Sequence, residues 1–192
     1  MKKALRYIII GVICVAILCG YYYYLSHRKT KTVEDIAPKA TEVEAILSKD
    51  FVSNYPSTPR EVVKNYNRIL CCFYNEEYTG VQLMDLANKA RLLLDDELLE
   101  LNPFDEYFET LTAEIDEYKM INKRILSTTI SDSNDVAFRT VKGDQCAYVK
   151  SYYFCKVGTD YDRTYEEYVL RKDEHGNWKI LAWRLIDADD FE

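Results

Sequence analysis

The chain has 192 residues, 48% of them hydrophobic and 30% charged, which excludes collagen-like, low-complexity and wholly disordered proteins. The length fits one ordinary folded domain. The net charge of −7 is divided unevenly, because the first 32 residues carry six basic and no acidic side chains. The remainder has 19 basic and 32 acidic side chains, a net charge of −13. So acidic a remainder, without a glycine-rich phosphate loop, disfavours a nucleic-acid partner.

An apolar segment near the N-terminus predicts a membrane-spanning helix. Residues 7–25 carry no charge, and residues 8–19 are apolar apart from Gly11. A helix needs about 20 such residues to cross a hydrocarbon core of about 30 Å. Basic side chains flank the segment, and the four tyrosines at 21–24 are typical of a membrane interface. A cleaved signal peptide is the alternative, but tyrosines and a basic cluster follow the apolar core where a small-residue cleavage site is needed.

The region 1–25 is therefore interpreted as a short basic tail and an uncleaved anchor. Basic side chains at both ends nearly balance, but so short a tail favours an N-terminus inside and a translocated domain. This predicts a single-pass protein of the cell membrane with an extracytoplasmic C-terminal domain. Residues 26–57 are predicted to form a polar tether, with Pro38 and Pro56 and a short helix at 41–47. The folded domain is then expected at 58–192.

Three amphipathic helices are predicted at the start of the domain. Thr58 and Glu61 form a capping box with Pro59 at the first helical position. Thr79 begins a second box, and a third helix is expected from Asn102. Apolar residues follow each start at helical spacing. The apolar face of the second helix continues without interruption as Leu83, Leu86, Ala87, Ala90, Leu94, Leu98 and Leu101.

After about residue 119 the hydrophobic period changes to two, which predicts strands. The expected strands are 124–131, 136–141, 145–157, 163–172 and 178–187. Short turn clusters separate them, so neighbouring strands are expected to pair antiparallel as a meander. Helices followed by strands indicate an α+β fold, with three helices packed on one face of a curved antiparallel sheet of four to five strands.

This order of elements resembles the nuclear-transport-factor-2-like superfamily of cone-shaped α+β domains. The resemblance covers about residues 57–187, and its local signature is the hairpin 168–181, a charged strand, a Gly-Asn turn and Trp-Lys-Ile. It implies a domain of the kind found in small-molecule isomerases, ligand-binding modules and membrane-tethered assembly parts. With its anchor, the chain also resembles single-pass bacterial membrane proteins, including the bitopic component of type IV secretion and conjugation machines. Such a fold does not by itself determine function.

Histidine and cysteine usage excludes several kinds of chemistry. The two histidines are His27, in the basic cluster, and His175, in a predicted hairpin turn. Neither is placed to activate a nucleophile in a pocket or to build a multi-histidine metal site. The absence of a CxxC motif disfavours redox and zinc-ribbon sites. The sequence therefore predicts no cofactor, no metal and no catalytic residue.

The six cysteines fall into three pairs: Cys14 with Cys19, Cys71 with Cys72, and Cys146 with Cys155. The first pair lies in the predicted membrane helix, the second on a helix and the third on one strand. The third pair cannot bridge, because nine residues of extended strand span about 30 Å. Free buried thiols acting as small apolar side chains are expected, while a helix-to-sheet bridge such as Cys72 to Cys155 stays open.

Four residues are predicted to line a cavity on the sheet: Tyr153, Tyr168, Trp183 and Arg184. In the resembling superfamily a tyrosine and a carboxylate can move protons beside a carbonyl. Half-exposed strands favour tyrosine in any case, and no Asp or Glu occupies an obviously buried strand position. We therefore expect a non-enzymatic module that binds a protein partner or a small apolar ligand. The alternatives are an isomerase- or dehydratase-type enzyme, or a subunit of a secretion- or conjugation-like assembly.

Overall fold

The computed structural model describes residues 40–191. Its helices are α1 (Glu42–Leu47), α2 (Pro59–Asn75), α3 (Gly80–Arg91), α4 (Asp96–Leu101), α5 (Phe104–Met120) and α6 (Ala188–Phe191). Its strands are β1 (Lys123–Ile130), β2 (Ala137–Val141), β3 (Asp144–Val157), β4 (Asp160–Lys172) and β5 (Trp178–Leu185). The predicted anchor at 1–25 lies outside the described residues. No helix between residues 40 and 191 is long and apolar enough to cross a membrane.

The five strands form one antiparallel sheet, which confirms the α+β class. The central strand β3 pairs with β4, which pairs with β5. The predicted meander is wrong at its beginning, because β1 and β2 do not pair with each other. Instead β1 pairs with the second half of β3 and β2 with its first half, along the same edge. The chain between them stays on that edge, where the Ser131 N–H donates to the Lys150 carbonyl at 2.9 Å.

The compact unit begins at Ala40, so residues 40–57 do not belong to the tether predicted for 26–57. The helix expected at 41–47 is present, with a capping box at Thr41. Its apolar face is buried, with Val43 and Ile46 almost fully enclosed. The Lys89 ammonium of α3 donates to the Leu47 carbonyl at the end of α1, at 2.9 Å. The few apolar residues of this otherwise polar segment are therefore buried, and their burial attaches α1 to the folded unit.

The second predicted helix is interrupted, because its apolar pattern spans two helices and a short extended segment. α3 ends at Arg91, and the next residues join the edge of the sheet. The Ile180 N–H donates to the Leu93 carbonyl at 2.9 Å, and the Asp95 N–H donates to the Ile180 carbonyl at 2.8 Å. Asp95 then caps α4 by accepting from the Glu97 N–H. These bonds replace those of a continuous helix and cover the β5 edge.

The starts of α2 and α5 differ in detail from the sequence pattern. Thr58 accepts from the Glu61 N–H as predicted, but the Glu61 carboxylate accepts from the Ser57 N–H and not from that of Thr58. The third predicted helix, α5, begins at Phe104 without a side-chain cap. Asn102 instead ends α4, where its amide donates to the Leu98 carbonyl at 2.9 Å.

The apolar stripe of α2 is confirmed and packs on the inner face of the sheet. Its buried members include Val62, Tyr66, Ile69 and Phe73. Every second residue of β3 faces this helix, which gives the alternation expected of a half-buried strand. α5 lies beside α2, where Leu111 and Ile115 enter the core. The site described next lies between these two helices and the sheet.

Candidate functional site

A cleft lies between α2, α5 and the inner face of the sheet. It has two adjoining lobes, which share Tyr66, Leu70, Tyr74, Glu114 and Trp183. The sheet lobe has a volume of about 130 Å³ and is also lined by Tyr118, Ile125, Tyr153, Cys155, Thr164, Glu166 and Tyr168. The helix lobe has a volume of about 280 Å³ and is also lined by Phe73, Asn102, Glu106, Tyr107, Thr110 and Leu111.

Three of the four predicted site residues line the sheet lobe: Tyr153, Tyr168 and Trp183. Arg184 does not line this lobe, so the prediction that it is a cavity residue is wrong. Its guanidinium forms an ion pair with Glu167 at 2.7 Å, and 68% of its side chain is exposed. Neighbouring residues on a strand point to opposite faces, so Trp183 and Arg184 cannot line the same cavity.

A β-bulge in β5 decides which of these two residues points inward. Leu170 is paired with Ile180, but Val169 is paired with Ala182, so Leu181 is an extra residue in β5. Trp178 and Ile180 are buried ahead of the bulge. Beyond it the alternation is reversed, and Trp183 is paired with the buried Tyr168.

A chain of short polar contacts runs through the sheet lobe and is called the tyrosine chain below. The Tyr168 phenol oxygen lies 2.7 Å from Oε2 of Glu166 and 2.5 Å from the Tyr153 phenol oxygen. The Tyr153 phenol lies 2.7 Å from Oδ1 of Asn67. The Asn67 amide nitrogen donates to Oγ of Ser151 at 2.8 Å. The chain thus joins a carboxyl in the cavity to a fully buried amide on α2.

The tyrosine chain needs one more proton than its two phenols supply. Three oxygen–oxygen contacts connect Glu166 to Asn67, and each requires one hydrogen to be attractive. Ser151 donates its hydrogen to the Thr129 carbonyl and accepts from the Asn67 nitrogen, which keeps the Asn67 oxygen toward Tyr153. In this orientation and with an ionised carboxylate, Tyr168 donates to Glu166 and Tyr153 donates to Asn67, which leaves two lone pairs facing each other between the phenols. A proton on Glu166 satisfies all three contacts: the carboxyl donates to Tyr168, Tyr168 to Tyr153, and Tyr153 to Asn67.

The surroundings of Glu166 favour the same protonated form. Burial raises the pKa of Glu166 above its ordinary value of 4.5, against the opposing effect of hydrogen bonds from Tyr168 and Tyr153. The nearby carboxylate of Glu114 raises this pKa further. Burial also raises the pKa of Tyr153 and Tyr168 well above 10, so both phenols are neutral. The cavity therefore contains a carboxyl that holds a proton more tightly than an exposed glutamate does.

Aromatic rings form the walls of the cleft. Tyr66 meets Tyr168 edge to face at 6.0 Å between centroids, and Trp183 lies 6.2 Å from each of them. Tyr74 stacks on Tyr118 at 4.0 Å. Among the described residues no lysine or arginine lines either lobe. The walls are thus aromatic and the charged lining groups are carboxyls.

The sequence pattern missed Glu166, Glu114 and Asn67. Glu166 could have been found, because it lies two residues before Tyr168 and so shares its face of β4. Glu114 follows Leu111 by three residues and borders the inward face of α5. Asn67 lies inside the apolar stripe of α2, and only its partners across the core reveal its role.

The four cysteines in the described part of the chain are free: Cys71, Cys72, Cys146 and Cys155. Cys155 lines the sheet lobe and belongs to a small buried cluster with Ile125 and Tyr153. Cys71 packs against this cluster, and no disulfide joins Cys72 to Cys155. Burial raises the pKa of Cys71 to about 11 and that of Cys72 to about 12. Between residues 40 and 191 no group of three or more potential ligand side chains is placed to hold a metal ion.

The model of one protein family, described as a domain of unknown function (DUF6715), matches residues 1–183. The chain belongs to this family. The matched range includes the apolar N-terminal segment and the folded unit as far as Trp183, so the family unites both parts. No curated protein matches the chain.

Proposed function

We propose that this protein is a membrane-anchored, extracytoplasmic binding module whose cleft holds a small organic ligand. The observation that carries the proposal is an aromatic-walled cavity with a hydrogen-bonding carboxyl, Glu166, in its lining. Small-molecule sites combine mainly apolar walls with a few polar groups that orient the ligand. The five-stranded antiparallel sheet, with α2 and α5 on its inner face, supports a nuclear-transport-factor-2-like fold for the domain.

The volume of the cleft suits a small-molecule ligand better than a segment of a protein partner. A cavity of about 150 Å³ admits a molecule of the size of benzene, and the sheet lobe has about 130 Å³. The two lobes together reach the range of roughly 300–1,000 Å³ that is typical of small-molecule sites. A ring or branched head group would occupy the sheet lobe, and the rest of the ligand would extend into the helix lobe.

The binding proposal is tested by closing the sheet lobe. Thr164 lines this lobe on β4, and Thr164→Trp introduces a large side chain there. Thr159 lies exposed in the β3–β4 turn, so Thr159→Trp is the matched control. A library of small organic molecules is screened against the full chain by ligand-observed NMR. Compounds that bind the wild type and the Thr159 variant but not the Thr164 variant support the proposal. Identical binding profiles for all three proteins contradict it.

Membrane anchoring is supported by the apolar segment 7–25 with its basic flanks and by the strongly acidic remainder of the chain. The test uses an introduced thiol, because the described cysteines are mostly buried. In Thr159→Cys the new thiol lies in an exposed turn. We expect a membrane-impermeant maleimide to label this variant in intact cells. Labelling only after lysis would place the domain on the cytoplasmic side.

A second candidate function is general acid–base catalysis, and the contact of Glu166 with Tyr168 favours it. A carboxyl with a raised pKa beside a neutral phenol can donate or accept a proton at a higher pH than an exposed glutamate does. The test is catalysed exchange of solvent deuterium into the carbon next to the carbonyl of small cyclic ketones. Exchange that is lost in Glu166→Gln and kept in Glu117→Gln supports an isomerase-type enzyme. No exchange above the rate in buffer would reject this reaction for small cyclic ketones.

A further inference from the structure

We propose that the ligand of the cleft is a small organic ammonium ion, held by aromatic faces and by the carboxylates of Glu114 and Glu166, and that its binding releases a proton from Glu166. This inference rests on the proposed binding function and deepens it. It depends on three features of the described residues: the aromatic walls, the sign of the lining charges and the proton count of the tyrosine chain.

The aromatic walls provide negative faces for a cation. An ammonium group within about 6 Å of an aromatic centroid is attracted by the quadrupole of the ring, most strongly by tryptophan and when the group is desolvated. Tyr66, Tyr168 and Trp183 lie 6.0–6.2 Å from one another, centroid to centroid. At these distances the three rings pack against one another, so a head group lies beside them, in the sheet lobe that all three line, and meets more than one ring there. A neutral ligand of the same shape gains the apolar contact without this electrostatic part.

The lining charges are all negative in the ionised state. Glu114 and Glu166 repel each other across the sheet lobe, which is one reason why the Glu166 carboxyl holds its proton. Lys123 lies 4.6 Å from the Tyr118 centroid but does not line the lobe. A cation placed between the two carboxylates removes their repulsion and compensates the burial of Glu166. An anionic ligand would add a third like charge.

Cation binding and proton release are linked through the tyrosine chain. When the cation enters, the Glu166 carboxyl loses its proton to solvent, and no covalent bond to the ligand forms or breaks. The hydrogen bonds then reverse, with Tyr168 donating to Glu166 and Tyr153 donating to Tyr168. The Asn67 amide turns so that its nitrogen donates to Tyr153 and its oxygen accepts from Ser151, whose hydroxyl hydrogen then leaves the Thr129 carbonyl to which it donates in this structure. The titratable groups that line the sheet lobe together with Glu166 are Tyr66, Tyr74, Glu114, Tyr118, Tyr153, Cys155 and Tyr168.

The experiment compares choline with its neutral carbon isostere, 3,3-dimethylbutan-1-ol. Both are titrated calorimetrically into the full chain in an uncharged detergent, in two buffers of different ionisation enthalpy. We expect choline to bind and to release protons to the buffer. Its affinity should rise as the pH increases through the raised pKa of Glu166, because deprotonation then costs less. The isostere should bind at least tenfold more weakly and release no proton.

Three variants test the assigned groups. Glu166→Gln keeps the donor to Tyr168 but cannot ionise, so proton release and the pH dependence of choline affinity should disappear. Glu114→Gln removes an exposed charge and should weaken choline binding about two- to fivefold, without changing the isostere. Glu117 lies on the same helix and lines neither lobe, so Glu117→Gln is the control and should bind choline as the wild type does.

Two outcomes overturn the inference in different ways. Equal binding of choline and the isostere, without proton release, rejects the ammonium ion and leaves the binding module intact. No binding of either probe also rejects the ammonium ion. In that case the screen with the Thr164→Trp variant decides separately whether the cleft binds another class of ligand. Choline binding that survives unchanged in Glu166→Gln, with its proton release, would place the cation elsewhere.

Discussion

The phenol oxygens of Tyr153 and Tyr168 lie 2.5 Å apart between β3 and β4, and both side chains are buried. At this distance one of the two phenols donates a hydrogen bond to the other, and each has a further partner, Asn67 on one side and Glu166 on the other. Changes to any member therefore act on the others, because an unpaired polar group in this interior is costly.

Tyr168→Phe removes the middle oxygen of the tyrosine chain. We expect a loss of about 1–3 kcal/mol in the free energy of unfolding, because Tyr153 and Glu166 each lose a partner inside the protein. The measurement is chemical denaturation of the full chain. Tyr165→Phe on the outer face of β4 is the control and should change stability by less than about 0.5 kcal/mol. Equal losses of stability in both variants would show that the tyrosine chain makes no special contribution to the stability of the protein.

Glu166→Gln should alter the pH dependence of stability. The pKa of Glu166 is raised in the folded state, so folding binds a proton above pH 4.5, and this contribution is lost as the pH rises through the folded pKa. The wild type should therefore lose stability relative to Glu166→Gln between mildly acidic and alkaline pH. Denaturation curves at several pH values measure the difference. A constant difference would mean that Glu166 titrates normally in the folded protein.

Arg171→Met breaks the ion pair between β4 and the start of α4. The Arg171 guanidinium contacts the Asp95 carboxylate at 2.5 Å, and only 6% of the Asp95 side chain is exposed. We expect a loss of about 3 kcal/mol, because the variant leaves a buried charge without its partner. Arg184→Met breaks a pair in which the Arg184 side chain is 68% exposed and that of Glu167 is 14% exposed, and it should cost less than Arg171→Met does, because water reaches this pair from the arginine side. Similar costs would indicate that Asp95 is accessible to water.

Ile46→Ala tests whether α1 belongs to the folded unit. Ile46 is completely buried, so the truncation should cost about 2–5 kcal/mol. Val52 is 81% exposed, and Val52→Ala serves as the control with little expected effect. Thermal or chemical unfolding of the full chain measures both variants. An Ile46 variant as stable as the wild type would indicate that residues 40–57 belong to the tether and not to the folded unit.

The thiols of Cys71 and Cys72 should react slowly with maleimide in the folded protein. Burial raises their pKa to about 11 and about 12, and the thiolate is the reactive form. At pH 8 a thiol of pKa 11 is about 0.1% ionised, compared with about a quarter for a free cysteine. Peptide mass mapping locates the modified residues. Rapid labelling of this pair without denaturant would contradict their burial.

Much of the fold could be predicted from local pattern. The helices at Pro59 and Gly80 and the five strands appear where capping residues and periodicity indicate them. The strand pairing could not be predicted, because β1 and β2 lie end to end along β3 and short connections favour neighbours. The end of α3 at Arg91 could not be predicted either, because the apolar pattern continues past it. The backbone of Leu93 and Asp95 instead forms hydrogen bonds with Ile180 of β5.

By itself the sequence determined the α+β class, the inward faces of α2 and β3, and the positions of Tyr153 and Tyr168 in the core. These features depend on hydrophobic period, which each segment carries locally. Only the tertiary structure decided that Trp183 enters the cleft while Arg184 leaves it. That choice depends on the extra residue Leu181, whose bulge reverses the alternation of β5. The proton held by Glu166 is likewise a tertiary property, because it arises from groups on α2, β3, β4 and α5 that meet only in the folded chain.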